Sequence, residues 1–219
     1  MWFLCPPGVY HPQDDTLLLE DALKREPIAD DAHVLDLGTG TGALALAAAG
    51  RGAAQVTAVD ASLSAVCTAW LNARLNGLRV TVLHGDLTAP VTGRRFDLIM
   101  ANPPYVPSPQ AALPTRGRNM AWDAGFDGRA LLDRICSDAP PLLTPGGVLL
   151  LVHSALCGAD RTLGLLRRAG LRSAVIERRY ISLGPVLRDR SAWLEARGLI
   201  APGEEKEELV VIRAERRNG

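Results

Sequence analysis

The sequence predicts an α/β fold, a mostly parallel sheet with helices on both faces. Three observations predict it. Short apolar runs that read as strands alternate with helical stretches along most of the chain. Polar residues end four successive runs, at Asp36, Asp60, Asp86 and Asn102. A glycine-rich turn, Gly38-Thr-Gly-Thr-Gly42, follows the first of them. Open parallel sheets hold ligands beyond the carboxyl ends of their strands, so these four residues are expected to meet in one crevice.

The elements follow in order. Asp14 or Asp15 is placed to cap a first helix carrying Leu17, Leu18, Leu19, Ala22 and Leu23, which Pro27 and Asp30-Asp31 end. Val34 to Leu37 reads as a buried strand, and Ala43 to Ala49 as an Ala/Leu helix opened by the glycine turn. A strand over Gln55 to Asp60 leads to Ser62, which caps a helix from Leu63 to Leu75; Asn76-Gly77 stops it. Strands at Val80 to Leu83 and Phe96 to Ala101 come next. Asn102-Pro-Pro-Tyr-Val-Pro-Ser-Pro109 fits neither helix nor central strand, because proline fixes φ and lacks a donor. The irregular stretch runs to about Phe126, and ordered loops of that length are often functional. A helix is predicted over residues 128–139, a strand at Val148 to His153, and a helix from Ala159 to Ala169 stopped by Gly170. Ser173 to Glu177 reads as a strand, Pro185 to Arg197 as an amphipathic helix, and Glu207 to Ala214 as a final antiparallel edge strand. That makes seven strands in a single domain over residues 1–219, with an amino-terminal helical lid segment (1–30) and an insertion before the last strand (178–206).

Net charge is zero, which selects neither for nor against a polyanionic partner. Four scattered cysteines, with no Cys-x-x-Cys pair and no Cys/His cluster, predict no metal site and fit a reducing cytoplasm. The amino terminus lacks the pattern of a secretory signal, and no apolar run has the length of a membrane span.

The glycine turn alone leaves two ligands open. Gly38-x-Gly40-x-x-Ala43 satisfies the relaxed dinucleotide pattern, with Asp60 near the distance of a ribose-binding acid. Against NAD, Asp36 would repel a pyrophosphate but would favour the ammonium group of S-adenosylmethionine. Asp86 can accept from an adenine amine, with Leu87 packed on the ring.

Asn102-Pro103-Pro104-Tyr105 is the most specific signal. Methylating a planar NH2 group is hard because its lone pair is delocalised. The site needs acceptors for both hydrogens, and the Asn102 side-chain oxygen is one. A backbone carbonyl, expected to be that of Pro103, is the other, aimed by the rigid prolines. Tyr105 can stack on the planar group. Positive charge growing on the nitrogen is met by preset carbonyl dipoles, so the chemistry is positioning and electrostatics.

These residues resemble the motifs of class I S-adenosylmethionine-dependent methyltransferases that act on amino groups. Within these the chain is similar to the HemK/PrmC group, the protein-glutamine N5-methyltransferases of peptide chain release factors, in its short form. Val9-Tyr-His-Pro-Gln-Asp-Asp-Thr16 with its leucine-rich continuation, and Ala124-Gly-Phe-Asp-Gly-Arg129, are similar to two further segments of that branch. The resemblance covers roughly residues 9–177 and implies a Rossmann-like seven-stranded fold and a cytoplasmic enzyme. It implies S-adenosylmethionine as cofactor, S-adenosylhomocysteine as product, and no metal. Thr16, Asp36, Gly38, Gly40, Gly42, Asp60, Asp86, Leu87 and Asn102 would bind the cofactor. Asn102 to Tyr105 would grip the acceptor, a glutamine in the Gly-Gly-Gln loop of a class I release factor. About 30 residues precede the first strand, so the helical substrate domain of the bacterial type is not expected.

Other readings stay open. The same turn could serve adenine N6 in RNA or DNA, or a protein lysine. A cofactor-binding module without catalysis, or an NAD oxidoreductase, is another reading. The Arg-rich region 161–190 is either a solvated face or a nucleic-acid contact, and a small partner subunit is compatible with the sequence.

Overall fold

The computed structural model describes residues 3–115 and 117–218. Seven strands form one sheet in the order β3-β2-β1-β4-β5-β7-β6. They are β1 (His33–Leu37), β2 (Gln55–Asp60), β3 (Val80–His84), β4 (Phe96–Ala101), β5 (Leu143–Ser154), β6 (Leu171–Ser182) and β7 (Lys206–Arg216). The helices are α1 (Asp14–Arg25), α2 (Ala43–Gly50), α3 (Leu63–Leu75), α4 (Ala130–Asp138), α5 (Ala159–Arg168), α6 (Pro185–Asp189) and α7 (Ser191–Ala196). Neighbours from β3 through β5 are parallel, while β7 is antiparallel to both β5 and β6.

Alternation along the central strands builds two cores, because successive side chains point to opposite faces. Leu35, Leu37, Ile99, Leu149 and Leu151 pack with Leu132 and Ile135 of α4 and Leu166 of α5. Val34, Leu98, Met100, Leu150 and Val152 pack with Leu18, Leu19 and Leu23 of α1 and Leu44 of α2. Burying such a leucine is worth about 2 kcal/mol, so the two layers fix the register that brings the strand ends level.

Four expectations need correction. The last strand is not an edge. β7 lies between β5 and β6, and Leu209, Val210, Val211 and Ile212 are all fully buried. A continuous apolar run of this kind marks a strand covered on both faces. The edge is β6, more than twice as long as predicted, with a register shift between Val175 and Glu177. The helix predicted over 185–197 is two, broken at Arg190, whose backbone takes φ −102°, ψ 3°. The α1 cap position is Gln13, which makes no side-chain cap bond, and Asp15 is buried within the first turn.

Candidate active site

A cavity of about 360 Å³ opens at the carboxyl ends of β1 to β4, inside the usual range of ligand sites. Gly38 and Gly40, Asp60, Asp86 and Leu87, and all of Asn102 to Tyr105 line it. The sheet therefore brings most of the sequence-predicted residues to one place.

The glycine loop is held from within. The amides of Gly38 and Thr39 both donate to the Val59 carbonyl, at 2.9 and 3.0 Å. The Gly40 amide donates to Asp60 Oδ2 at 2.9 Å, and that of Gly42 to the Thr39 carbonyl. These four amides are therefore spent on the protein, whereas a pyrophosphate site needs loop amides left free. A Cβ at Gly38 would meet the Asn102 carbonyl at 3.8 Å and Pro103 Cα at 4.0 Å, so the two loops close on one another at that point. Gly42 is off the cavity wall. At φ 87° it caps α2, and a Cβ there would come within 3.1 Å of Ala69 Cβ on α3. Its role is backbone geometry and close packing.

Asp36 is also behind the wall. It is fully buried, and its Oδ2 accepts from Thr39 Oγ1 at 2.6 Å and from the Ala45 amide at 3.1 Å. That ties the turn to the start of α2. Its Oδ1 has no partner among the described residues. Burial pushes this carboxyl up to about 6, with the nearby Asp60 charge adding and the Thr39 and Ala45 hydrogen bonds opposing. Asp60 stands on the wall. Its Oδ1 accepts from the Ser62 amide at 2.8 Å, and burial raises it above the ordinary carboxylate value.

Asp86 is exposed and held in a two-point ion pair by Arg134 of α4, at 3.1 and 2.7 Å. Leu87 follows at φ 46°, the one non-glycine at positive φ among the described residues. Such strain persists where the surroundings over-determine the backbone, and it clusters at ligand sites.

The Asn102–Tyr105 turn is anchored at both ends. Asn102 Nδ2 donates to Thr16 Oγ1 at 3.2 Å, and the Tyr105 hydroxyl donates to Asp15 Oδ2 at 3.0 Å. Thr16 is thus behind Asn102 and off the cavity wall. Burial, aided by the Asp15 charge, raises the Tyr105 phenol well above its ordinary value, so it stays neutral. The chain then doubles back: the Val106 amide donates to the Trp122 carbonyl and the Ala124 amide to the Val106 carbonyl. This gives the second half of the cavity its wall, including Leu113, Met120, Trp122 and Asp123. The length and proline content of the loop signalled that region without giving individual residues. The sequence offered Asp15 only as a helix cap and Arg190 only as one of many arginines, and it did not single out Arg134.

Five of the eight arginines over 161–190 are paired with acids. Arg161 pairs with Asp127 and Asp133, Arg172 with Glu215, Arg178 with Glu208, Arg179 with Asp21 and Arg190 with Asp123. Among the described residues no group of three or more His, Cys, Asp or Glu is placed to hold a metal, and no helix is long and apolar enough to cross a membrane.

A seven-stranded sheet of this order, with β7 alone antiparallel and a glycine loop after β1, defines a class I S-adenosylmethionine-dependent methyltransferase fold. The chain belongs to the methyltransferase small domain family, whose model matches residues 1–120. It is 37% identical over 172 residues to a chain of Methanocaldococcus jannaschii named as a putative protein N5-glutamine methyltransferase, covering 78% of this chain and 85% of that one. It is 40% identical over 175 residues to the release factor glutamine methyltransferase of Geobacter sulfurreducens, covering 77% of this chain and 61% of that one. The chain thus spans about three fifths of the Geobacter protein. Among solved structures, the E. cuniculi Mtq2–Trm112 complex, responsible for methylating the termination factor eRF1, has a chain that matches with a TM-score of 0.65. Identity is 23%, over 95% of this chain and 99% of that one. That likeness is one of fold.

Proposed function

We propose that this chain methylates the side-chain nitrogen of a protein glutamine, in the Gly-Gly-Gln loop of a class I release factor. The observation that carries the reading is the Asn102-Pro-Pro-Tyr105 turn, on the cavity wall against the glycine loop. The 37% identity to the Methanocaldococcus protein supports the choice of glutamine.

The residues present fit S-adenosylmethionine. The buried Asp36 carboxyl, behind the glycine loop with Oδ1 unpartnered, favours an ammonium on the cavity side through its charge rather than by contact, and the space a Cβ at Gly38 would fill suits close approach of the methionine part. Asp60 offers remaining lone pairs to ribose hydroxyls, and Asp86 with Leu87 an edge and a face for adenine. When bound, the cofactor supplies a methyl on a cationic sulfur, which leaves as S-adenosylhomocysteine while the glutamine nitrogen takes the methyl. Asn102 Oδ1 and the Pro103 carbonyl accept the two hydrogens of the NH2 group, turning its lone pair away from them. They stabilise the charge that forms on nitrogen. That nitrogen then sheds one proton to solvent, because its acidity rises once charged and a strong base is not needed. Tyr105, held neutral by burial with the Asp15 charge adding, supplies a flat apolar surface.

A small partner subunit belongs to the proposal. On one side of α3, Leu63, Trp70, Leu71 and Leu75 are exposed, an apolar stripe that a partner could cover. The pairing of the arginines with acids weighs against the RNA or DNA reading.

Incubation with labelled S-adenosylmethionine and the host's release factors, followed by peptide mapping, tests the assignment. Label is expected on the glutamine of the Gly-Gly-Gln loop. Label confined to lysine, or to nucleic acid after protease treatment, overturns it.

A further inference from the structure

Two residues of α1, Asp15 and Thr16, lie behind the Asn102 amide. Asp15 and Thr16 are both nearly fully buried. Four donors converge on the Asp15 carboxylate. Oδ1 accepts from the Thr16 amide at 2.6 Å and from the Thr16 hydroxyl at 3.2 Å. Oδ2 accepts from the Tyr10 hydroxyl at 2.7 Å and from the Tyr105 hydroxyl at 3.0 Å.

An ionised carboxylate can only accept. The Thr16 hydroxyl owns one hydrogen, and a bond to a carboxylate is the stronger use of it. With that hydrogen on Asp15, the Thr16 oxygen can only accept from its other neighbour. That neighbour is Asn102 Nδ2, 3.2 Å away. The amide must therefore turn its NH2 end to Thr16, leaving Oδ1 as the end presented to the cavity that Asn102 lines. In the flipped amide Oδ1 would face the Thr16 oxygen with no hydrogen between them, and the NH2 end would face the NH2 group of the acceptor. The same carboxylate also holds Tyr105, so both ends of the four-residue turn hang on one buried charge.

We propose that Asp15 and Thr16 are positioning residues that lock the Asn102 amide with its oxygen toward the acceptor, and so select acceptors that present N–H donors. This rests on the reading that Asn102 grips an NH2 group. It also changes the role expected for Thr16, from cofactor contact to orientation of the motif.

The test is the pair Thr16→Val and Thr16→Ser in the full chain. Valine keeps the shape and loses the hydroxyl, while serine keeps the hydroxyl. Thr16→Val is expected to lower kcat about 10-fold to 100-fold, as misorientation of a reacting group does. Thr16→Ser is expected to hold kcat within about threefold of wild type. Affinity for S-adenosylhomocysteine, read by calorimetry, should change less than about twofold in both. A second readout needs no turnover. The side-chain NH2 protons of Asn102, assigned in an NMR spectrum by their loss in Asn102→Asp, should be protected from water exchange in the wild type and unprotected in Thr16→Val. Wild-type kcat in Thr16→Val, unchanged protection, or a loss of S-adenosylhomocysteine binding would each overturn the proposal. Should the wild type label no glutamine, the functional reading fails while the exchange measurement still decides this one.

Discussion

Arg190 lies 2.6 Å from Asp123, the two side chains being 18% and 6% exposed. The same guanidinium donates to the Pro107 carbonyl at 2.8 Å. One residue of the β6–β7 excursion thus pins both sides of the doubled-back loop that follows the Asn102–Tyr105 turn. Around it Leu183, Leu187, Leu194 and Ile200 form a small core against which Val106 packs.

Arg190→Met tests what that pin is worth. Removing one partner of a buried ion pair leaves the other charge uncompensated, at about 3 kcal/mol. Urea unfolding should show that loss, and KM for the protein acceptor should rise while affinity for S-adenosylhomocysteine holds. The double variant Arg190→Met with Asp123→Asn should recover most of the stability, since it leaves no buried charge unpaired. A single variant as stable as the wild type would remove the pin from the account.

Gly128 explains the segment Ala124-Gly-Phe-Asp-Gly-Arg129 from the other side of the turn. At φ 70° it lies so close to the motif that a Cβ would stand 2.2 Å from the Tyr105 carbonyl and 2.8 Å from Cys157 Sγ. The neighbouring Arg129 is buried, with Nη1 on the Cys157 carbonyl and on Thr162. Gly128→Ala is expected to cost about 3 kcal/mol from overpacking and a disfavoured φ together. The obstructing atom is backbone, so relief must move the Tyr105 peptide. Activity should fall further than the folded fraction does, and an active, stable Ala variant would contradict the placement.

The contrast between these residues and the motifs shows what the sequence could disclose. Gly38, Asp60 and Asn102 were legible because each sits in a short run whose chemistry is local. The central strands were legible because their apolar runs are bounded by turn residues. The place of β7 was not, since strand order depends on which faces are covered, and Leu209 to Ile212 shows only that both are. Asp15 read as a helix cap because its partners, Tyr10 and Tyr105, come from different stretches of chain. Arg190 read as one arginine among many, because Asp123 lies 67 positions away.

Glu207 offers a test by pH. It is buried near Asp15, and its Oε2 lacks a partner among the described residues. Burial, with the Asp15 charge adding and the Ser154 hydrogen bond opposing, pushes its carboxyl from 4.5 up to about 7. Below 4.5 the group is neutral folded or unfolded. Above 7 it is charged in both states, and the folded state carries the burial penalty. At about 1.4 kcal/mol per pH unit that penalty reaches roughly 3 kcal/mol. Glu207→Gln should therefore gain stability over the wild type as pH rises from 4.5 to 7, by up to this amount at pH 8. Parallel pH profiles of Tm for the two proteins would refute the assignment.

Asp36 couples the same physics to cofactor binding. Its carboxyl is raised from 3.8 to about 6, mainly by burial. In the free protein it keeps its proton up to about pH 6, while the unfolded chain loses it near 3.8. Its ionisation therefore removes up to about 3 kcal/mol of stability as pH climbs through that window. A bound ammonium reverses the preference, since it favours the charged carboxylate. Binding S-adenosylhomocysteine below pH 6 should then release the Asp36 proton. Affinity should weaken as pH falls below that point, approaching about tenfold per pH unit. Asp36→Asn keeps an acceptor for Thr39 and Ala45, removes the titration, and should bind weakly with a flat profile. Calorimetry from pH 5 to 8, in two buffers of different ionisation enthalpy, reads both the affinity and the proton release. An affinity independent of pH in the wild type, or a slope that survives in Asp36→Asn, would place the ammonium on another group, with Asp60 at the end of β2 the next to test.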